Sequence, residues 1–147
     1  MVRIIGIGNE FRGDDAVGLL LAQRLREKLP STIEVIEHLG DGATLMDAWE
    51  GADSIYILDA VRSGSPVGTI HRLDARSQES PTSFFHDSTP AFALAEAVEV
   101  ARKLDRLPPA LFIYGIEGAS FDHGAPLSPE VEAAMETIRA ELVDRLS

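Results

Sequence analysis

The sequence predicts a single α/β domain over residues 1–147, with a mostly parallel sheet that helices cover on both faces. Two observations support this fold class. Strand-like segments alternate along the chain with segments of helical periodicity, which is the pattern of a parallel sheet whose strands are connected by helices. The 147 residues are 45% hydrophobic, which is enough for one compact core and too little for two ordinary domains.

Five segments have the apolar character or the alternating polarity of strands. They are residues 2–7, 32–37, 54–58, 69–73 and 110–116. The third segment is apolar and partly β-branched, as in a central strand buried on both faces, and we expect it to end at Asp59. Turn residues precede the fourth segment, which we expect at an edge of the sheet.

Four segments have apolar residues at helical spacing. They begin at Val17, near Leu45, at Pro90 and at Pro129. A hydroxyl-bearing residue precedes each of the two prolines, and this combination favours the first turn of a helix. Residues 74–87 show no periodicity.

The composition excludes several classes of partner and ligand. The net charge of −11 disfavours a nucleic acid or an anionic membrane as a partner, because the surface repels phosphates. The chain has no cysteine, so any metal must be bound through oxygen and imidazole ligands. There is no signal segment and no apolar run of membrane-spanning length, and we therefore expect a cytoplasmic protein.

The stretch from Gly6 to Gly18 places a glycine-rich turn and two carboxylates between the first strand and the first helix. A structural explanation for Asp14 is a cap on that helix, whose first N–H groups need acceptors. Asp15 can have a further role together with Asp59. If the first and third strands are neighbours, both carboxylates open into one crevice, where they can hold a divalent cation or divide acid and base roles. Asp59 alone is also explained by capping a turn at the end of its strand.

The glycine-rich turn also suggests a dinucleotide site, but the residues around it do not fit one. Phe11 stands where the fingerprint requires a third glycine, and Asp14 and Asp15 would repel a pyrophosphate. Glu37, at the end of the second strand, is the one residue that favours this site, and simple solvation also explains it.

Histidines are the remaining candidates for a ligand or a base. His71 falls in the predicted edge strand, where we expect a surface role. His38, His86 and His123 fall in loops that could reach the crevice, although each is also explained as a solvated loop residue. We favour His86, because it precedes the third helix and would approach Asp59 if its loop folds over the edge of the sheet.

Several motifs resemble those of the hydrogenase maturation endopeptidases, and the resemblance covers nearly the whole chain. The specific motifs are Gly6-Ile7-Gly8-Asn9 with Asp14-Asp15-Ala16-Val17-Gly18, and Leu58-Asp59-Ala60. Further matches are Phe92-Ala93-Leu94-Ala95-Glu96-Ala97, Gly115-Ile116-Glu117-Gly118 and Leu127-Ser128-Pro129. The resemblance implies a three-layer α/β/α sandwich around a doubly wound, mostly parallel sheet of about five strands.

The resemblance also implies a function. Members of that family remove the C-terminal extension of the large-subunit precursor of nickel-iron hydrogenases after nickel insertion. Two acids that match Asp15 and Asp59 and a histidine before the third helix surround the metal position, so these residues would be catalytic and metal-binding. The metal arrives with the precursor as its nickel, and no tightly held metal is expected in the free protein.

The chain departs from the family at that histidine. Pro90 stands in its place, after Ser88-Thr89, and proline cannot coordinate a metal. The third ligand is lost unless His86 or another loop histidine replaces it, because two carboxylates alone bind a divalent ion weakly. The loop after the second strand also differs, with Asp41 displaced by about one position. An alternative function is therefore a non-proteolytic binding module that recognises a metal-loaded precursor.

Overall fold

A five-stranded sheet forms the centre of the computed structural model, which describes residues 1–9, 13–76, 90–122 and 124–146. Its strands are β1 (Val2–Ile7), β2 (Glu34–His38), β3 (Ser54–Val61), β4 (Ile70–Asp74) and β5 (Ala110–Glu117). They lie in the order β2-β1-β3-β5-β4, with β4 antiparallel to β5 and the other neighbours parallel. The predicted sheet, including the edge position of its fourth strand, is confirmed.

Helices cover both faces of this sheet. In the described part of the chain they are α1 (Val17–Lys28), α2 (Gly42–Trp49), α3 (Pro90–Lys103) and α4 (Pro129–Leu146), and a 3-10 turn, Gly13–Ala16, precedes α1. α1 packs beside α4 on one face, and α2 packs beside α3 on the other. The chain runs from β1 outward to β2 and then returns to β3 on the other side of β1, so the connections change direction there. The three-layer, doubly wound sandwich is thus confirmed.

Each face of the sheet has its own hydrophobic core. Along β3, Leu58 and Ala60 belong to the core under α1 and α4, whereas Ile57 and Val61 belong to the core under α2 and α3. Successive side chains of a strand point to opposite faces. Asp59 therefore faces the side of the sheet that carries α2 and α3.

β2, β4 and β5 differ from their predicted bounds by one or two residues, and β2 includes His38, which was expected in a loop. Two further differences affect the site. β3 continues past Asp59 to Val61, because its last two residues are apolar and pair with the end of β5. Asp59 thus lies inside a strand, and its explanation as a cap on a turn is wrong. α2 begins at Gly42 because Asp41 caps it, accepting a hydrogen bond from the Thr44 N–H at 3.3 Å. None of the described helices has the length and apolar composition that crossing a membrane requires.

Candidate functional site

The parallel strands have their carboxyl ends at one side of the sheet. We call this side the carboxyl-terminal edge, and it carries Asp15 and Asp59. β1 and β3 are direct neighbours, with Gly6 paired to Leu58, and Asp59 is the next residue of β3. Asp15 lies in the Gly13–Ala16 turn that follows β1. The pairing of β1 with β3 confirms the predicted adjacency of the first and third strands. We call the region between the two carboxylates the crevice.

Two glycines allow the turn and α1 to approach the strands closely. A Cβ atom at Gly8 would lie 2.1 Å from the carbonyl oxygen of Asp15. A Cβ atom at Gly18 would lie 2.2 Å from the carbonyl oxygen of Ile7 and 2.3 Å from that of Leu58. Because any side chain here would push the turn away from the sheet, these glycines set the backbone spacing around the crevice.

Asp59 is a buried carboxylate with an incomplete set of hydrogen bonds. The residue is 2% exposed, and its Oδ1 accepts a hydrogen bond from the Ala60 N–H at 2.8 Å. Its Oδ2 is buried and has no hydrogen-bond partner among the residues that the structure describes. Burial raises the pKa of Asp59 well above its usual range, the Ala60 N–H partly offsets this, and the negative charge of Asp15 raises the pKa further. Perturbed carboxylates of this kind are typical of functional sites.

Asp15 is 6% exposed and close enough to Asp59 for its charge to act on it. Two buried carboxylates repel each other unless a proton or a cation lies between them. Carboxylate oxygens are ligands that divalent cations accept. The crevice can therefore share a proton or hold part of the coordination shell of a metal, and the metal-binding and catalytic roles of the two residues stay predictions.

No third ligand joins this pair in the described ranges, where no group of three His, Asp or Glu side chains is placed to hold a metal. His38 accepts the Gly40 N–H at its Nδ1 at 2.8 Å, and its Nε2 lies 3.2 Å from Thr44 Oγ1. Each ring nitrogen is thus already engaged, so His38 would have to give up at least one of these contacts to bind a metal. His86 and His123 lie outside the described residues, so the third ligand stays a prediction.

Asp14 is fully buried and connects the turn to the β5–α4 loop (residues 118–128). Its carboxylate accepts hydrogen bonds from the N–H groups of Ala119 at 2.7 Å, Ser120 at 3.2 Å and Ser128 at 2.8 Å, and from Ser128 Oγ at 2.7 Å. Burial raises the pKa of Asp14, but these hydrogen bonds outweigh burial and hold the pKa below its usual value. The prediction that Asp14 caps α1 is wrong, because the cap position is Ala16 and no side chain caps the helix there.

A fourth buried acid at this edge, Glu117, was not identified as a site residue from the sequence. It is 2% exposed and accepts hydrogen bonds from the Ser63 N–H at 2.8 Å and Ser63 Oγ at 2.6 Å, and it lies 3.1 Å from His71 Nε2. His71 is thus half-buried against Glu117 rather than at the surface as expected. Glu117 ties the β3–β4 connection to the end of β5. An acid that directly follows a buried apolar strand was the available signal, as it was for Asp59.

Comparisons with known proteins agree with one another. The family model for hydrogenase maturation protease, HycI, matches residues 16–145. The chain is 27% identical over 139 residues to the Hydrogenase 2 maturation protease of Escherichia coli (strain K12), covering 92% of this chain and 84% of that protein. The structure is similar to that of the hydrogenase maturating endopeptidase HybD from E. coli, with a TM-score of 0.82 and 25% identity over 99% of this chain and 91% of that one. The NiFe hydrogenase maturation protease HybD from Thermococcus kodakarensis has the same fold, with a TM-score of 0.76 at 22% identity and 99% coverage of both chains.

Proposed function

The chain belongs to the hydrogenase maturation protease family, and from this premise we propose that it removes the C-terminal extension of a nickel-iron hydrogenase large-subunit precursor. In this proposal cleavage follows nickel insertion, and the nickel already bound in the precursor is what the protease recognises. The partner is the precursor, in the cytoplasm. Neither a nucleic acid nor a membrane takes part, and the net charge of −11 favours neither.

The crevice is the observation that supports this proposal. Asp59 Oδ2 is buried without a hydrogen-bond partner among the described residues, and the charge of Asp15 opposes ionisation of Asp59. An arrangement that disfavours its own negative charge gains most from a cation that enters from outside. A nickel ion presented by the precursor would supply that charge, and the two carboxylates would become its ligands on the protease side.

The same pair can assist hydrolysis of the peptide bond. A carboxylate of the crevice takes a proton from water while the water oxygen bonds to the scissile carbonyl carbon. The carbon–nitrogen bond then breaks, and the leaving nitrogen receives a proton from the carboxylic acid. Because the pKa of Asp59 is raised, this residue can hold a proton closer to neutral pH than an ordinary aspartate can.

A second candidate function is recognition of the metal-loaded precursor without cleavage. Two observations at the position of the third metal ligand favour this function. α3 begins at Pro90, and the described residues offer no third ligand to Asp15 and Asp59. A pair of carboxylates would then bind the nickel of the precursor weakly and leave the peptide bond intact.

Mass spectrometry of the large subunit distinguishes the two functions. The purified protein is mixed with nickel-loaded precursor and, separately, with precursor that has not received nickel. We expect a C-terminal fragment to be released from the nickel-loaded precursor alone. An intact precursor that forms a stable complex with the protein would support the binding module, and cleavage of both precursors would contradict recognition through nickel.

Two variants test the role of the crevice, and a third serves as a matched control. We expect Asp15→Asn and Asp59→Asn to lower the cleavage rate by about 100-fold or more, because each removes a carboxylate that accepts protons and binds cations. Asp144→Asn makes the same chemical change at an exposed site in the last turn of α4. It should cleave at the parent rate, and equal loss in all three variants would contradict a specific role for the crevice.

A further inference from the structure

We propose that Asp14 is a positioning residue, whose carboxylate fastens the β5–α4 loop to the Gly13–Ala16 turn and thereby holds Asp15 in place against Asp59. This inference rests on the proposed function, because it assigns a task within the same site. It concerns a residue that does not enter the crevice, and it explains why two consecutive aspartates precede α1.

Four hydrogen bonds fasten Asp14 from a distant part of the chain. The donors are three backbone N–H groups and one hydroxyl, and they come from both ends of the β5–α4 loop: Ala119 and Ser120 at one end, Ser128 at the other. Hydrogen bonds to a carboxylate are stronger than those between neutral groups. Because two oxygens accept four donors, the side chain of Asp14 has little freedom to rotate.

The backbone of the turn is held at both sides of Asp15. On one side, the Asp14 N–H donates to the carbonyl oxygen of Ser120 at 2.8 Å. On the other, the carbonyl oxygen of Asp15 accepts the Asn9 N–H at 3.2 Å. Gly13 has a φ of 56°, which favours glycine. A Cβ atom at this position would lie 2.6 Å from the same Ser120 carbonyl oxygen and clash with it. The turn therefore lies closely against Ser120 of the β5–α4 loop.

The geometry of the turn links the two aspartates. A 3-10 turn has about three residues per turn, so consecutive side chains point about 120° apart. When Asp14 is fixed against the β5–α4 loop, Asp15 must point away from that loop, and its charge acts on Asp59. A displacement of about 1 Å in a catalytic group can lower a rate about 100-fold, so this restraint matters for the reaction.

Hydrogen exchange in Asp14→Asn tests the restraint directly. Asparagine has nearly the same shape as aspartate, but its NH₂ group replaces one carboxylate oxygen. That group is a donor and cannot accept the hydrogen bonds that the oxygen accepted. The Asn9 amide donates to the carbonyl oxygen of Asp15 and reports on the turn. We expect its exchange rate to increase about 10-fold more than that of the Ala75 amide. A factor of this size corresponds to the loss of about one hydrogen bond. The Ala75 N–H donates to Leu111 at the opposite end of the sheet and reports general stability.

Ile138→Val serves as the control for a purely structural effect, since Ile138 lies on α4 and its side chain is buried in the core that α1 and α4 cover. It should accelerate both amides by the same factor. If the Asn9 amide of Asp14→Asn also keeps pace with the Ala75 amide, the positioning role is overturned, whether or not the protein cleaves its precursor.

Single-turnover cleavage supplies a second measurement. At a temperature where both proteins are folded, we expect Asp14→Asn to lower the saturating rate about 100-fold while the half-saturating concentration changes less than about threefold. A parent protein that does not cleave would overturn the proposed function, and the exchange result would still decide the role of Asp14. A parent that cleaves together with an equally active Asp14→Asn would overturn the positioning role alone.

Discussion

Asp14 and Asp59 are buried aspartates at the same edge of the sheet, and their surroundings are opposite. Asp14 accepts four hydrogen bonds, which hold its pKa below the usual value although burial raises it. Asp59 accepts one from Ala60, and its pKa is raised by burial and by the charge of Asp15. Burial alone therefore does not decide how easily a carboxylate ionises, because four donors stabilise the charged form of Asp14 and only one stabilises that of Asp59.

The difference also predicts how each residue contributes to folding. A buried carboxylate with a full set of donors stabilises the native state, because its removal leaves those donors unpaired. A buried carboxylate that is short of donors and faces a like charge destabilises the native state when it ionises. We therefore expect ionisation of Asp59 to lower the stability of the fold and the contacts of Asp14 to raise it.

The largest effect on stability should come from Asp14→Ala. Removing the carboxylate leaves three backbone N–H groups and the Ser128 hydroxyl without their acceptor, and we expect the free energy of unfolding to fall by about 3 kcal/mol. Urea denaturation measures this change. Asp122→Ala is the control, because Asp122 is exposed in the same loop and its loss should change stability by less than about 0.5 kcal/mol. Equal effects of the two substitutions would remove the contrast between Asp14 and an ordinary surface aspartate.

Acid should reduce the contribution of Asp14 to the free energy of unfolding. Because its pKa is lower in the folded than in the unfolded protein, its contribution is fully present above about pH 4 and is lost as the pH falls through the folded pKa. The stability difference between the parent and Asp14→Asn should therefore shrink below about pH 4. Denaturation curves between pH 3 and pH 7 measure the difference, and one that grows on acidification would contradict the account of Asp14.

Ser128→Ala should have a smaller effect than either change at Asp14. It removes one of the four donors and leaves the Ser128 N–H in place, so we expect a loss of about 1 kcal/mol in the free energy of unfolding. Thr137→Ala removes a hydroxyl from the exposed side of α4 and is the matched control. If the two alanine variants are equally stable, the Ser128 hydroxyl adds nothing to the fixation of Asp14.

Most of the fold followed from local patterns in the sequence. Apolar strands that alternate with amphipathic helices predicted the sheet, and the turn residues before β4 predicted its edge position. The end of β3 was misplaced because an aspartate after an apolar run normally marks a strand end, whereas here pairing with β5 extends the strand to Val61.

The candidate site was only partly predictable, because its decisive contacts join distant parts of the chain. Asp15 and Asp59 could be paired from the expected adjacency of two strands. The contact of Asp14 with Ala119 spans 105 residues and depends on how the β5–α4 loop folds, for which the sequence has no local signal. Nothing near Asp14 distinguishes this role from a helix cap until the loop is in place.

The pH dependence of the stability of Asp59→Asn tests most directly the claim that the crevice disfavours its own charge. Below about pH 4 the carboxyl group of Asp59 is protonated in both the folded and the unfolded protein. As the pH rises, this group ionises first in the unfolded protein. The parent therefore loses stability until the pH passes the raised pKa of Asp59 in the folded protein. Asparagine does not titrate. The stability of Asp59→Asn relative to the parent should therefore increase as the pH rises above about 4. A relative stability that stays constant or falls over this range would contradict the account.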